Sequence, residues 1–275
     1  MRIIKKIIIA IIVLGLLIGI AWEYYGKTLW EDSGVDELKN YVAQNTYVKA
    51  PKNSVQELLE LLEKIEYYQP LYNIKFPAIY DFFNHVKRED TSKNRAETVY
   101  SYLKEDMKFK KLHILDVGSN LGYMSLFMGD HGGAVLGLDT NLDHIKIARI
   151  LGKLNNLTDV AFELEEFNPE YISKMDNSYD VAFIFSVLHH VTLIHGLEYT
   201  QDLMVNLLDK VPLLFVELAI AEEKVNFPWR AALPEDPLAV FAKCKNCEIE
   251  KIGEFDTHLS NIKRPLYVVK KKVSI

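Results

Sequence analysis

Residues 114–122, ILDVGSNLG, constrain the fold of this chain more than any other stretch. An apolar, β-branched run reaches a carboxylate at Asp116 and then turns on Gly118 and Gly122, and a helix-compatible stretch from Tyr123 to Met128 follows at once. Glycine lets a backbone approach a ligand closely, and a new helix offers unpaired N–H groups. Strand, glycine turn and helix in succession therefore make a nucleotide-type binding loop. A dinucleotide fingerprint would read G-x-G-x-x-G. Here Gly118 and Gly122 stand four apart behind an acid, which makes a nicotinamide oxidoreductase the least favoured class.

From residue 112 onward, strand and helix patterns alternate. Strands are predicted at 112–116, 134–139, 160–163, 180–185, 213–217, 249–255 and 266–269, and helices near 122–131, 143–155, 168–175, 197–210 and 236–244. This rhythm implies an α/β fold: a Rossmann-like, seven-stranded, mostly parallel sheet with helices on both faces. The last two strands lack a helical spacer and are expected to form an antiparallel hairpin at the sheet edge. Upstream, Ser54-Val55-Gln56-Glu57 is a capping box ahead of the helical series Val55, Leu58, Leu59, Leu62 and Ile65. Asp90 to Arg95 starts a further helix over 96–103. The aromatic, charged stretch that it closes is either a lid over the site or a plain helix capped by Thr91 or Ser92. The expected organisation is a membrane anchor at 1–25, a linker and helical lid segment at 26–105, and a catalytic domain at 106–275.

In an open α/β sheet, ligands bind beyond the carboxyl ends of the strands. The second strand ends at Asp139, about 20 residues past the glycine turn, where a carboxylate can accept both hydroxyls of a ribose. After the third strand comes Glu163-Leu164-Glu165-Glu166-Phe167, placed to meet an adenine, with Glu165 the preferred contact. These features resemble those of the class I S-adenosylmethionine (SAM)-dependent methyltransferases, whose first motif has the form D-x-G-x-x-x-G. The resemblance implies SAM as the cofactor, held by Asp116, Gly118, Gly122 and Asp139, with Ser119, Asn120, Tyr123 and Ser186 beside them. The fourth strand opens into Ser186-Val187-Leu188-His189-His190-Val191, where methyl group and acceptor should meet. Methyl transfer is an in-line displacement that mainly requires alignment, and a base helps only if the acceptor must lose a proton. His189 and His190 are candidates for that base, for donors to an anionic acceptor, or for stacking on the cofactor. With His195 they lack a clear fourth zinc ligand, and no metal site is expected.

A closer resemblance rests on Ser186-Val187-Leu188-His189-His190-Val191, His195-Gly196, Val216-Glu217-Leu218-Ala219, Asp236-Pro237, the block from Gly253 to Ser260, and Arg264-Pro265. Over about residues 112–270 the chain is similar to the methyltransferase domain of bacterial O-antigen chain terminators, the bifunctional methyltransferase/kinases. In that family a terminal sugar is phosphorylated and the phosphate is then methylated, which stops polymer growth. The likeness makes Glu217, His258 and Arg264 candidates near the acceptor, since a guanidinium fork and an imidazole both suit a phosphate oxygen. The structural alternatives are that Glu217 caps a helix, that Asp256 and His258 bond each other, and that Arg264 pairs with a carboxylate. The chain shows no stretch for the family's kinase, so a separate kinase or a different acceptor is expected.

Arg2, Lys5 and Lys6 precede an apolar run over residues 7–22, followed by Tyr24 and Tyr25. The expectation is an uncleaved anchor; a signal peptide cleaved after Gly19 and Ala21 is the rival. The basic N-terminus points the rest of the chain outward, whereas SAM is cytosolic, so an in-plane or re-entrant anchor with a cytoplasmic catalytic domain is favoured. A net charge of −6 argues against extended nucleic-acid contact. Cys244 and Cys247 do not make a disulfide framework; their spacing fits a zinc half-site, a redox pair or, more plainly, a partly buried loop. The leading expectation is a membrane-associated methyltransferase acting on a cell-surface glycan, a lipid-linked acceptor or its phosphorylated terminus. The alternatives are a methyltransferase for a small metabolite, lipid or quinone, and a non-catalytic SAM-binding scaffold.

Overall fold

The computed structural model describes residues 57–58, 61–62, 64–65, 71–72, 89–106, 111–223, 226–257 and 261–272. Nearly all of these belong to one compact unit, Leu58–Ile275. The expected membrane helix at 1–25 and the candidate acceptor residue His258 lie outside the described residues. Among the described residues, no helix is long and apolar enough to cross a membrane. Leu58, Leu61 and Leu62 are buried in short helical stretches, as the helical periodicity of that segment requires.

Helix α1 (Glu89–Asp106) leads into β1 (His113–Val117), α2 (Tyr123–Asp130), β2 (Ala134–Asp139), α3 (Leu142–Leu154), β3 (Val160–Leu164) and α4 (Pro169–Lys174). Then come β4 (Val181–Phe185), α5 (Leu188–His195), α6 (Leu197–Lys210) and β5 (Leu213–Glu217). Two 3-10 turns (Pro228–Ala232 and Pro237–Phe241) and the strands β6 (Cys247–Phe255) and β7 (Arg264–Lys271) complete the unit. The strands form one sheet of order β3-β2-β1-β4-β5-β7-β6, parallel except for β7, which runs antiparallel to both β5 and β6. The expected hairpin at the edge is thus present, with a bulge between Lys251 and Gly253.

Strand alternation assigns the two faces. On β1, Leu115 and Val117 join the large core with Ile184, Leu214, Val216, Leu203 and Leu207. Asp116 instead turns to the opposite face, toward α2. Phe183 and Phe215 are fully buried at the centre of the sheet and meet edge to face. Burial of each such ring stabilises the fold by roughly 1.5–3 kcal/mol.

Local signals set most helix starts. The Asn141 side chain accepts from the amides of Asp143 and His144 to cap α3, and Asn168 caps α4 ahead of Pro169. Two local expectations are corrected. Ser92 lies inside α1, not at its cap, because the helix already starts at Glu89. The stretch predicted as a helix at 236–244 is only the 3-10 turn Pro237–Phe241, started by the Asp236 side chain. Cys244 and Cys247 are bonded to each other, half-buried, with Cα atoms 5.7 Å apart at the entry to β6.

Candidate functional site

The strand order reverses between β1 and β4, and a crevice opens there at the carboxyl ends of the strands. It is a cavity of about 800 Å³. Its walls come from the end of β1 and the glycine turn (Val117, Gly118, Asn120), from the end of β2 (Asp139 to Asn141) and from the stretch after β3 (Glu165 to Phe167). Phe185 to Val187, His189 to Val191, Ile194, His195, Phe227, Trp229 and Arg264 line the opposite side, and Leu138 and His144 complete the wall by β2.

The glycine turn is a close backbone approach. Gly118 has φ +71°, and a side chain there would run into Val187. Gly122 has φ +82°, and a Cβ would stand 2.8 Å from Phe162 Cζ and 3.0 Å from the Ala148 methyl. Both positions therefore require glycine. The amides of the turn from Ser119 to Gly122 are already spent, contrary to the simple picture of a loop of free N–H groups. Ser119 donates to the Leu138 carbonyl at 2.8 Å, Gly122 to the Ser119 carbonyl at 2.9 Å, and Leu121 to Asn120 Oδ1 at 2.7 Å. Asn120, itself left-handed at φ 51°, donates its N–H to Asp139 Oδ2 at 2.9 Å. Asp139 Oδ1 accepts from the Asn141 N–H at 2.8 Å. One amide thus fixes each carboxylate oxygen, which leaves remaining lone pairs for ligand hydroxyls.

Of the expected cofactor residues, Gly118, Asn120, Asp139, Glu165 and Ser186 line the cavity, and four do not. Asp116 is buried on the α2 side and accepts from Ser125 Oγ at 2.6 Å. Burial pushes its carboxyl up to about 6, against the lowering effect of the Ser125 bond and of Arg95. Ser119 turns its side chain under the loop, where its Cβ would lie 2.9 Å from a Cβ placed on Gly137. Gly122 packs on Phe162, and Tyr123 is buried edge-on against Tyr72 with ring centres 5.4 Å apart. These four shape the turn from behind.

At the other end of the cavity lies a buried charge network. Arg264, delivered by β7 and 3% exposed, clasps Glu223 through Nε and Nη2 at 2.7 and 2.9 Å. Its Nη1 donates to Ser186 Oγ at 3.1 Å. Ser186 Oγ in turn donates to Glu217 Oε1 at 2.6 Å, and Arg95 of α1 donates to Glu217 Oε2. Two guanidiniums and two carboxylates thereby balance around one hydroxyl. Ser186 itself holds a left-handed backbone, φ 59°, a conformation that costs a non-glycine residue roughly 1–2 kcal/mol. Arg264 therefore pairs with a carboxylate, as one structural alternative supposed, while its guanidinium still borders the cavity. Glu217 caps no helix and does not line the cavity; it is buried and accepts from Ser186, which does line it.

His189 and His190 sit on helix α5 rather than on a loop. His189 is 4% exposed, tilted against Trp229 with ring centres 4.7 Å apart, and its Nδ1 has no partner. Burial, reinforced by His190 and Arg264, pushes its pKa down to about 2, so the ring is neutral at pH 7. His190 is lowered as well, first by burial and then by Arg264. Neither imidazole is a strong base. Among the described residues, no group of three or more histidine, cysteine or acidic side chains could hold a metal ion. Sequence reasoning missed Arg95, Glu223, Phe227 and Trp229. Only Pro228-Trp229, a rigid turn start beside a large aromatic, carried a local signal.

Residues 108–198 match a family described as "Methyltransferase domain". The chain carries a SAM-dependent methyltransferase domain. It is 31% identical over 160 residues to the O-antigen chain terminator bifunctional methyltransferase/kinase WbdD of Escherichia coli; the match covers 58% of this chain and 22% of that protein. A solved structure of the bifunctional kinase-methyltransferase WbdD superposes with a TM-score of 0.68 at 28% identity, over 79% of this chain and 47% of that one. The methyltransferase domain thus spans less than half the length of these relatives. Magnesium protoporphyrin IX methyltransferase (ChlM) from Synechocystis PCC 6803, solved with bound SAM, shares the fold at 13% identity and a TM-score of 0.53, over 87% of this chain and 97% of that one. The cavity residues fit SAM: bare backbone at Gly118, a tethered carboxylate at Asp139 for the ribose, and Glu165 with Phe167 beside an adenine.

Proposed function

We propose that this domain methylates the terminus of a cell-surface glycan, at a terminal phosphate, and that the apolar N-terminal run holds it at the membrane with the catalytic domain on the cytoplasmic side. One observation carries the reading: in a chain related to an O-antigen chain terminator, β7 delivers Arg264 to the cavity beside His189 and His190. SAM, when bound, supplies an electrophilic methyl group on a sulfonium. Asp139 holds the ribose end, and the Gly118 turn admits the cofactor backbone. Ser186, fixed by Glu217 and Arg264, sets the wall between the two ends of the cavity. The neutral imidazoles donate hydrogen bonds to acceptor oxygens and do not remove protons, which suits an acceptor that is already anionic. A kinase, on the same polypeptide or another, has to place the phosphate first.

Transfer of label from methyl-labelled SAM to separated glycolipid, metabolite and nucleic-acid fractions tests the reading, with Asp139→Ala as control. The expected result is Asp139-dependent label in glycolipid, released as methyl phosphate. Loss of the Asp139 carboxylate should weaken S-adenosylhomocysteine binding about 10- to 100-fold, as for hydrogen bonds to a charged group. Label confined to metabolites would overturn the glycan acceptor and leave the methyltransferase standing.

A further inference from the structure

Phe227 and Trp229 lie on one wall of the cavity, with ring planes 7° apart and centres separated by 6.0 Å. Trp229 is 3% exposed, whereas Phe227 is 45% exposed. A phenylalanine gains roughly 1.5–3 kcal/mol from full burial, so one left nearly half open on a cavity wall is surface available to a ligand. The surroundings are not uniformly apolar. The Arg264 guanidinium lies 5.4 Å from the Trp229 ring centre, and the His189 ring lies 4.7 Å from it. His189 Nδ1 is buried without a hydrogen-bond partner.

We infer that Phe227, backed by Trp229, is the platform on which a pyranose ring of the acceptor stacks. A pyranose has a face of C–H bonds and a rim of hydroxyls. The C–H face suits the electron-rich face of an aromatic ring, and the hydroxyls require polar partners close by. Phe227 supplies the first, and His190 and the Arg264 guanidinium, which line the same cavity, supply the second. A lipid tail would cover the His190 ring without offering it a hydrogen bond, at a cost of about 1–3 kcal/mol. The inference rests on the glycan reading and names the residues that select the sugar.

The test uses the full chain with S-adenosylhomocysteine and hexopyranosyl phosphates, read by saturation-transfer difference NMR, with glycerol 3-phosphate as the ring-free control. Saturation is expected on the axial ring protons of the sugar, lost in Phe227→Ala and kept in Phe227→Tyr. Phe227 is exposed, so neither variant threatens folding. In the label-transfer assay, Phe227→Ala should raise KM for the glycolipid acceptor about ten-fold with kcat nearly unchanged, the loss of one aromatic contact. An unchanged KM with label still entering glycan overturns the platform and spares the glycan reading. Equal saturation of glycerol 3-phosphate and sugar also overturns it. If wild type labels no glycan at all, the glycan reading falls, and the NMR experiment alone decides the platform.

Discussion

Replacing Glu223 by glutamine should destabilise the domain by about 3 kcal/mol, and replacing it by alanine by up to about 5 kcal/mol. Glu223 is 0% exposed and its partner Arg264 only 3%. Three donors converge on Glu223: Arg264 Nε at 2.7 Å, Arg264 Nη2 at 2.9 Å and the Ile220 amide at 3.2 Å. Glutamine keeps an acceptor for Nε and the amide but turns an N–H₂ toward Nη2, donor against donor, with the buried guanidinium no longer balanced. Alanine removes every acceptor and leaves a cavity as well. Breaking one side of a buried pair costs roughly 3–5 kcal/mol, mostly as the burden of the stranded charge. The paired change Glu223→Met with Arg264→Met should therefore recover most of the loss, because both desolvation penalties vanish together. Urea unfolding at pH 7, analysed at constant m, reads these differences directly. A loss below about 1 kcal/mol in both single variants would place the pair in the range of solvent-screened surface bridges and refute the reasoning.

Asp116→Asn should change the pH dependence of stability. Burial holds the folded-state pKa at about 6, above the unfolded value of 3.8, so wild type loses stability as pH rises between these values and stays at the lower level above 6. The neutral amide carries no such loss, and its advantage over wild type should grow to roughly 1–3 kcal/mol between pH 4 and 7 and then level off; a difference constant with pH would show that Asp116 ionises freely. Gly122→Ala forces φ +82° on a residue with a Cβ 2.8 Å from Phe162, and a thermal unfolding scan should show a loss of at least about 2 kcal/mol. An alanine variant as stable as wild type would mean that the turn re-forms without the left-handed residue. His189 should remain a neutral imidazole throughout pH 5–8 in nitrogen-detected NMR, since burial holds its pKa near 2. A titration within that range would restore it as a candidate general base.

Much of the fold was legible because its signals are local. Alternating apolar residues marked the strands, and Gly118 and Gly122 announced the turn through a backbone requirement that holds wherever the turn is placed. Asp139, about one strand and one helix later, followed from spacing alone. Helix α5 is absent from the sequence prediction because its N-cap is Val187, with no side chain bonding its first amides, so the usual cap signal is missing. The stretch at 236–244 carried the opposite error: Asp236-Pro237 is a sound start signal, but the turn ends after one short 3-10 segment. Asp116 shows a subtler miss. Its place in the motif suggested ligand contact, yet on β1 it faces α2, opposite to Leu115 and Val117.

By itself, the sequence determined the sheet, the glycine turn and the carboxylate at Asp139. Those features depend on residues near one another in the chain, where the strand and helix periods act directly. Tertiary structure alone decided who partners whom around Ser186 and Arg264. Arg95 reaches Glu217 across 122 positions, Ser186 meets Arg264 across 78, and Glu223 meets Arg264 across 41. No local pattern encodes such pairings. They arise because the sheet brings the ends of β4, β5 and β7 side by side, and in that low-dielectric space each buried charge requires a partner.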